Sequence, residues 1–152
     1  MTVSLHDDIQ GGAHANPPIR SFRNLVAWQK AFSLGLEVYR LAAMLPDTER
    51  FGLVSQLRRG ATCIASNIAE GYGRGRRSDY VRFLRVARGA LYELDTQLMF
   101  SVKLAYFSQS TYDKVKSRLD ECERILAGLI RSLEQPAKAH VLSSSSHDAT
   151  MA

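Results

Sequence analysis

The chain has 152 residues, of which 45% are hydrophobic and 23% are charged. This composition is typical of one globular domain and excludes disorder over the whole length. It has neither an apolar stretch of about 18 residues that could span a membrane nor a secretory signal at its start, so we expect a soluble, cytoplasmic protein without a membrane partner. Its net charge of +5, which rises to about +7 for residues 20–135, favours a polyanionic partner such as nucleic acid.

Both ends of the sequence lack apolar periodicity. The first segment contains a Gly-Gly pair and the sequence Asn-Pro-Pro, and the last contains four consecutive serines. Because these features are typical of flexible segments, we divide the chain into an N-terminal arm (1–20), a helical domain (21–135) and a disordered C-terminal tail (136–152). All four histidines fall in the arm or the tail: His6, His14, His140 and His147.

The first predicted helix runs from about Asn24 to Met44, and Pro46 ends it. Its apolar residues form two stripes at helical spacing, which indicates that the helix buries more than one face. We interpret Trp28 as an anchor of the core, with stacking on a nucleic-acid base as the alternative. The two stripes are Trp28, Phe32, Gly35, Tyr39 and Ala42, and Leu34, Val38, Leu41 and Leu45.

The second predicted helix runs from about Glu49 to Tyr72. Gly71, Gly73 and Gly75 follow its apolar stripe, and we interpret them as ending the helix and letting the chain reverse. A nucleotide-binding loop is excluded because these glycines follow a helix, not a strand, and lack the Lys-Ser/Thr ending. The stripe consists of Val54, Leu57, Ala61, Ile64, Ile68 and Tyr72.

The third and fourth predicted helices run from about Ser78 to Ala105 and from about Ser110 to Leu133. Four amphipathic helices with short connections predict an all-α fold, an antiparallel up-down-up-down four-helix bundle. On the third helix, apolar residues also occupy the outer side and one flank. They are either scattered exposed residues or a subunit interface. These residues are Val86, Tyr92, Met99, Phe100 and Leu104.

Arginines concentrate around the junction of the second and third helices. From Arg58 to Arg88 there are eight arginines and only two acids, Glu70 and Asp79. The guanidinium fork can bind phosphate with two hydrogen bonds, so we expect contacts with a nucleic-acid backbone. The alternative is a solvated polar end whose arginines pair with nearby acids. The predicted nucleic-acid-binding residues are Arg58, Arg59, Arg74, Arg76, Arg77, Arg82 and Arg85.

The helical region offers no recognisable catalytic or metal-binding set. It contains no histidine, and Cys63 and Cys122 are too few and too far apart in sequence for a disulfide framework or zinc site. The Glu-x-x-His pairs of di-iron bundles are missing. Asn67 and Glu70 are interpreted as fixing helix ends and arginine side chains by hydrogen bonds. We therefore expect a protein that is not an enzyme and uses no metal or cofactor.

Four motifs, separated along the chain, point to one family. They are Asn24-Leu25-x-x-Trp28-x-x-Ala31, Phe51-Gly52-Leu53-x-Ser55-Gln56-x-x-Arg59, Asn67-Ile68-Ala69-Glu70-Gly71 and Phe83-Leu84-x-x-Ala87-x-Gly89-Ala90-x-x-Glu93-Leu94. On these motifs, residues 22–134 resemble the four-helix-bundle proteins of the 23S rRNA intervening-sequence family. The chain departs from the family pattern at Cys63 and Ala90, where a serine or similar polar residue is usual.

The resemblance implies a fold like that of the accessory protein of diversity-generating retroelements, a basic protein that associates with nucleic acid and a reverse transcriptase. It also implies a homo-oligomer, since a ring-shaped homopentamer is known in the family. Two functions are expected. The first is a non-enzymatic homo-oligomer that contacts the backbone of RNA, or of an RNA–DNA hybrid, through the arginine-rich turn. The second is a structural adaptor that docks a partner protein such as a reverse transcriptase.

Overall fold

The computed structural model describes residues 18–136 and contains four α-helices and no β-strand within that range. The all-α prediction is confirmed, and each helix lies within a few residues of its predicted position. The expectations for the arm, the tail and the four histidines concern residues 1–17 and 137–152, which lie outside the described residues. The helices are α1 (Val26–Ala42), α2 (Leu53–Gly73), α3 (Arg77–Lys103) and α4 (Gln109–Glu134), with short 3-10 turns at Phe22–Asn24 and Asp47–Glu49.

Each helix packs on its two neighbours in the order α1, α2, α3, α4, and α4 closes the arrangement against α1. Across the described part of the chain the backbones of the diagonal pairs do not approach each other closely, which confirms the up-down-up-down bundle. None of these helices combines the length and hydrophobicity needed to cross a membrane. The side chains that fill the centre include Leu34, Val38, Leu57, Ile64, Ile68, Leu84, Leu94, Leu98, Val115 and Leu126.

Side-chain hydrogen bonds set the starts of α1 and α2 later than predicted. Asn24, the predicted first residue of α1, instead closes a 3-10 turn in which its Oδ1 accepts from the Ser21 amide at 3.1 Å. At α2, Glu49 Oε2 accepts from the Leu53 amide at 2.9 Å. Tyr106 donates to the other oxygen of Glu49 at 2.9 Å. The carboxylate of Glu49 therefore joins the start of α2 to the α3–α4 connection.

The two apolar stripes of α1 have different environments. The stripe that contains Leu34 and Val38 is fully buried, whereas Phe32 and Tyr39 of the other stripe are 47% and 42% exposed. Trp28 is only half-buried, and its ring stacks on that of Phe32 at 4.9 Å between centroids. The interpretation of Trp28 as a core anchor is therefore corrected: it packs at the edge of the core because α1 presents this stripe to the surface.

Of the three glycines near the end of α2, one makes the turn and another packs helices together. Gly75 has a φ of +76°, in the left-handed region that favours glycine. Gly71 lies inside α2, where a Cβ atom would be 2.7 Å from the Cβ of Phe83 on α3. The prediction that all three glycines end the helix is wrong for Gly71, which instead permits close approach of α2 and α3.

Candidate nucleic-acid interface

The antiparallel topology gathers four chain segments at one end of the bundle. The start of α1 meets the last part of α4 in a cavity that Asn24, Leu25 and Leu129 help to line. Arg76 and Arg77 share another cavity with the end of α4. We call this region, made of residues 18–25, 70–85 and 128–136, the arginine-rich end.

The arginine-rich end carries eight arginines and three carboxylates. Three of these arginines, Arg20, Arg23 and Arg131, were not predicted, because they are distant in sequence from the α2–α3 turn. Only the bundle topology brings them to the same end. The full set is Arg20, Arg23, Arg74, Arg76, Arg77, Arg82, Arg85 and Arg131.

Three predicted arginines pair with acids at this end. Arg74 binds Glu70 at 2.8 Å and Arg82 approaches Asp79 at 3.5 Å, both within one helix turn. Arg85 binds Glu134 at the end of α4. The hydrogen bond that Arg74 donates to Glu70 raises the pKa of Arg74. These side chains are largely exposed, and such surface pairs contribute little to stability, so a phosphate can compete with the carboxylates.

A single aromatic ring orders two of the guanidinium groups. The guanidinium carbons of Arg82 and Arg74 lie 4.6 Å and 5.3 Å from the centre of the Phe83 ring. One arginine comes from α3 and the other follows α2, so Phe83 holds cations from both sides of the turn in a cation–π arrangement. Prior ordering of this kind lowers the entropic cost of binding a phosphate.

Arg76 and Arg77 differ from the paired arginines Arg74, Arg82 and Arg85. Neither forms an ion pair with any residue of 18–136. They stand at the N-terminus of α3, where unsatisfied N–H groups and the helix dipole favour negative charge. Together with Arg85 they border an open groove of about 750 Å³. Two unpaired guanidinium groups beside a groove at a helix N-terminus form the centre of the candidate interface.

Arg58 and Arg59 do not join this centre. They lie in the first half of α2, roughly 22 Å along the helix axis from Arg74. The Arg58 guanidinium packs over the Tyr39 ring at 5.4 Å. Arg59 borders a separate polar cavity between α2 and α3. The seven arginines that are close in sequence therefore occupy at least two different places on the surface.

The predicted structural motif has three separate roles. Glu70 holds Arg74, as expected. Asn67 donates to the Cys63 carbonyl oxygen at 2.8 Å and to the Cys63 Sγ at 3.1 Å, so it fixes neither a helix end nor an arginine. Its expected role is corrected to a bond within α2. Gly71 supports the helix contact described above.

The described residues also include two exposed apolar surfaces along the sides of the bundle. One, the α1–α2 groove, has a volume of about 440 Å³ and is lined almost wholly by apolar atoms. The other, the α3 outer face, contains the residues predicted to point outwards. The groove is bordered by Trp28, Phe32, Leu36, Tyr39, Ala61 and Ala65, and the face consists of Val86, Tyr92, Met99, Phe100 and Leu104.

Comparisons with known proteins identify a family from the sequence and a related fold among solved structures. A family model described as "23S rRNA-intervening sequence protein" matches residues 23–128. No curated protein gives a significant match. Among solved structures, the chain is similar to the crystal structure of a protein of unknown function from the S23 ribosomal protein family of Bacteroides thetaiotaomicron. The two share 21% identity and a TM-score of 0.65 over 70% of this chain and 99% of that one, a likeness that shows the fold.

Proposed function

The chain belongs to the family of 23S rRNA-intervening sequence proteins, and we propose that it is a non-enzymatic, homo-oligomeric protein that binds RNA through its arginine-rich end. The observation that carries the proposal is the pair Arg76 and Arg77, which have no acidic partner among residues 18–136 and flank a groove at the start of α3. An RNA–DNA hybrid offers the same kind of backbone and is included in the proposal.

The proposed contact is with phosphates and not with base sequence. The arginine-rich end holds eight guanidinium groups and three carboxylates. The resulting local excess of positive charge attracts a polyanion whatever its orientation. Contacts of this kind position a nucleic acid without identifying its sequence. The cation–π contacts on Phe83 support the proposal because they hold Arg74 and Arg82 close to Arg76 and Arg77.

Two observations support a homo-oligomer. The α1–α2 groove and the α3 outer face each leave large apolar side chains about half exposed, and such patches mark protein interaction sites. They lie on different helices, so one surface of a subunit can meet the other surface of the next, as in a closed ring. A pentamer is the ring that the family resemblance implies. In any such ring the arginine-rich end is repeated in every subunit.

The experiment is a binding titration of a labelled RNA stem–loop over a series of salt concentrations. Changing both Arg76→Ala and Arg77→Ala should lower the slope of log affinity against log salt by about 0.7–0.9 per lost phosphate contact. The matched control, Lys103→Ala with Lys114→Ala, removes the same charge at the opposite end of the bundle and should leave the slope nearly unchanged. An RNA–DNA hybrid and a DNA duplex serve as comparison ligands.

Two results would contradict the proposal. One is the absence of RNA affinity at low salt in the wild-type protein. The other is an equal loss of slope in the arginine variant and the lysine control, because binding would then depend on net charge and not on this end of the bundle.

A second candidate function is that of a structural adaptor, and the α1–α2 groove favours it. An apolar groove between two helices suits an amphipathic helix of a partner protein. A reverse transcriptase is the partner that the resemblance implies. In a pull-down with that enzyme, Phe32→Glu would abolish binding if the adaptor role is right, whereas Arg76→Ala with Arg77→Ala would not. A reverse transcriptase gene adjacent to the gene for this chain would favour the adaptor.

A further inference from the structure

The carboxylate of Glu93 lies among the apolar side chains of the α3 outer face. Glu93 follows Val86 by seven residues and precedes Phe100 by seven, so the three residues share one stripe of α3. All three are exposed. Glu93 forms no ion pair with any residue of 18–136. The stripe therefore presents an unpaired negative charge between two exposed apolar side chains.

The α1–α2 groove has the opposite charge at its border. The guanidinium carbon of Arg58 lies 5.4 Å from the centre of the Tyr39 ring, which lines the groove. Arg58 also forms no ion pair within residues 18–136. Among the described residues, those that line the groove include no acid. The groove and the α3 outer face are therefore both apolar and complementary in charge.

Contacts inside the bundle fix the relative heights of Arg58 and Glu93 along its axis. A Cβ atom on Gly60 would be 3.8 Å from the Cβ of Leu94, so these residues of α2 and α3 are level with each other. Arg58 is two residues from Gly60, and Glu93 is one residue from Leu94. These steps correspond to about 3 Å and about 1.5 Å along the helices. The two charges therefore differ in height by about 5 Å at most, which an extended arginine side chain can bridge.

We propose that Glu93 pairs with Arg58 of the partner subunit, where the α3 outer face of one copy packs into the α1–α2 groove of the next with the bundles parallel. Subunits related by rotation about an axis along the bundle are not displaced along that axis, so groups at equal height face each other. Apolar surroundings strengthen the attraction between the two charges. This inference rests on the homo-oligomer of the proposed function, to which it adds the direction and the register of the contact.

The parallel direction has a consequence for the RNA-binding surface. Every arginine-rich end then lies on the same side of the assembly, and Arg76 and Arg77 recur in each subunit around a single rim. The charges of several subunits act together on one polyanion. An antiparallel contact would instead divide the arginine-rich ends between two sides.

The first experiment reverses the charges and follows assembly by light scattering over a range of protein concentrations. Arg58→Glu and Glu93→Arg each place like charges at the contact, so each should require at least about tenfold more protein to assemble. The double variant should assemble like the wild-type protein. An equimolar mixture of the two single variants should also assemble, because contacts between them again join opposite charges. A pair within one chain would not respond to mixing.

Arg59 provides the matched control for the charge reversal. It is the next residue of α2 and lines a cavity together with Glu93 of the same chain. Arg59→Glu combined with Glu93→Arg should therefore fail to restore assembly. Restoration by this combination, and not by Arg58→Glu with Glu93→Arg, would show that Glu93 acts within its own chain and would overturn the inference.

The second experiment tests the direction of the contact with a short bifunctional thiol reagent. In a Cys63→Ala background, Arg58→Cys protein mixed with Glu93→Cys protein should give a covalently linked dimer on a denaturing gel. Val86→Cys is the control for Glu93→Cys, since it lies on the same stripe about 10 Å nearer the arginine-rich end. Its mixture with Arg58→Cys should lose most of the linked dimer.

The outcomes separate this inference from the proposed function. A wild-type protein that assembles, with no restoration in the double variant or the mixture, would overturn the ion pair and leave the RNA-binding oligomer intact. Linkage of Arg58→Cys to Val86→Cys and not to Glu93→Cys would overturn the parallel register. A wild-type protein that stays at 17.0 kDa would overturn the inference together with the oligomer, while RNA binding by the arginine-rich end would still be measured by its own titration.

Discussion

Gly71 and Phe83 lie so close together that a Cβ atom on the glycine would be 2.7 Å from the Cβ of the phenylalanine. The same hypothetical atom would be 3.3 Å from the carbonyl oxygen of Tyr80. The last turn of α2 therefore packs directly on the first turns of α3. The guanidinium groups of Arg74 and Arg82 make cation–π contacts with the ring of Phe83. This packing of α2 on α3 therefore also positions these two cations of the arginine-rich end.

We expect Gly71→Ala to reduce the free energy of unfolding by about 1–3 kcal/mol, because backbone and Phe83 must both shift to admit the methyl group. Gly73→Ala is the matched control: it lies in the same helix, and nothing is within 4 Å of its added Cβ. That change should be neutral or stabilise the protein by about 0.5 kcal/mol. Urea denaturation measures both values, and similar effects at the two positions would contradict the packing argument.

The two cysteines should react with thiol reagents at very different rates. Cys122 is buried in the core, and burial raises the pKa of its thiol to about 11. Cys63 is half-buried on the surface of α2. In the native protein one thiol equivalent should therefore react quickly and the second only after unfolding. Cys63→Ala should remove the fast phase; a fast phase that survives this change would place the reactive thiol at Cys122 instead.

Stability should fall in acid partly through Glu49. Hydrogen bonds from the Leu53 amide and, to a smaller extent, from Tyr106 lower the pKa of Glu49 below its ordinary value of 4.5. A lowered native pKa stabilises the fold above pH 4.5, and this contribution is lost as the pH falls through the native pKa. Glu49→Gln should lower Tm at neutral pH and flatten the decrease of Tm in acid.

Asp47→Asn is the control for that titration, since the Asp47 side chain makes no hydrogen bond or ion pair within residues 18–136. Its profile of Tm against pH should follow that of the wild-type protein more closely than the profile of Glu49→Gln does. Parallel profiles for Glu49→Gln and the wild type would show that the bonds to Leu53 and Tyr106 do not contribute.

Light scattering should give a mass several times the subunit mass of 17.0 kDa. Phe32→Glu in the α1–α2 groove and Phe100→Glu on the α3 outer face should each reduce the mass, because a buried carboxylate without a partner disrupts an apolar interface. Met44 is exposed two residues after α1 and outside both surfaces, so Met44→Glu should leave the mass unchanged. A wild-type protein that stays at 17.0 kDa would exclude the oligomer.

Local patterns in the sequence were sufficient to predict the helices. The spacing of residues such as Leu84, Leu91 and Leu98 identifies α3 within two residues of its observed ends, because a buried stripe repeats with the helical period. The predicted starts of α1 and α2 were less accurate. Ser21 and Glu49 bind backbone amides through their side chains, and such capping bonds move a helix start by a few residues without changing the apolar pattern.

The site could be predicted only in part from the sequence. Arg74, Arg76 and Arg77 are neighbours along the chain, so their common location follows from a short turn. Arg59 is also near in sequence, yet α2 carries it roughly 22 Å away, because each helical residue adds about 1.5 Å along the axis. Arg131 shows the opposite relationship. It is far from the α2–α3 turn in the sequence, yet it lies at the same end of the bundle as that turn.

The sequence by itself determined the all-α class, the approximate helix limits and the excess of arginine at one turn, since these depend on periodicity and composition over short distances. Only the tertiary structure decided which stripe of α1 is buried and which acids neutralise Arg74, Arg82 and Arg85. It also decided that Glu93 and Gln97 share a cavity with Arg59. These relationships depend on how the helices face one another, which no periodicity within a single helix specifies.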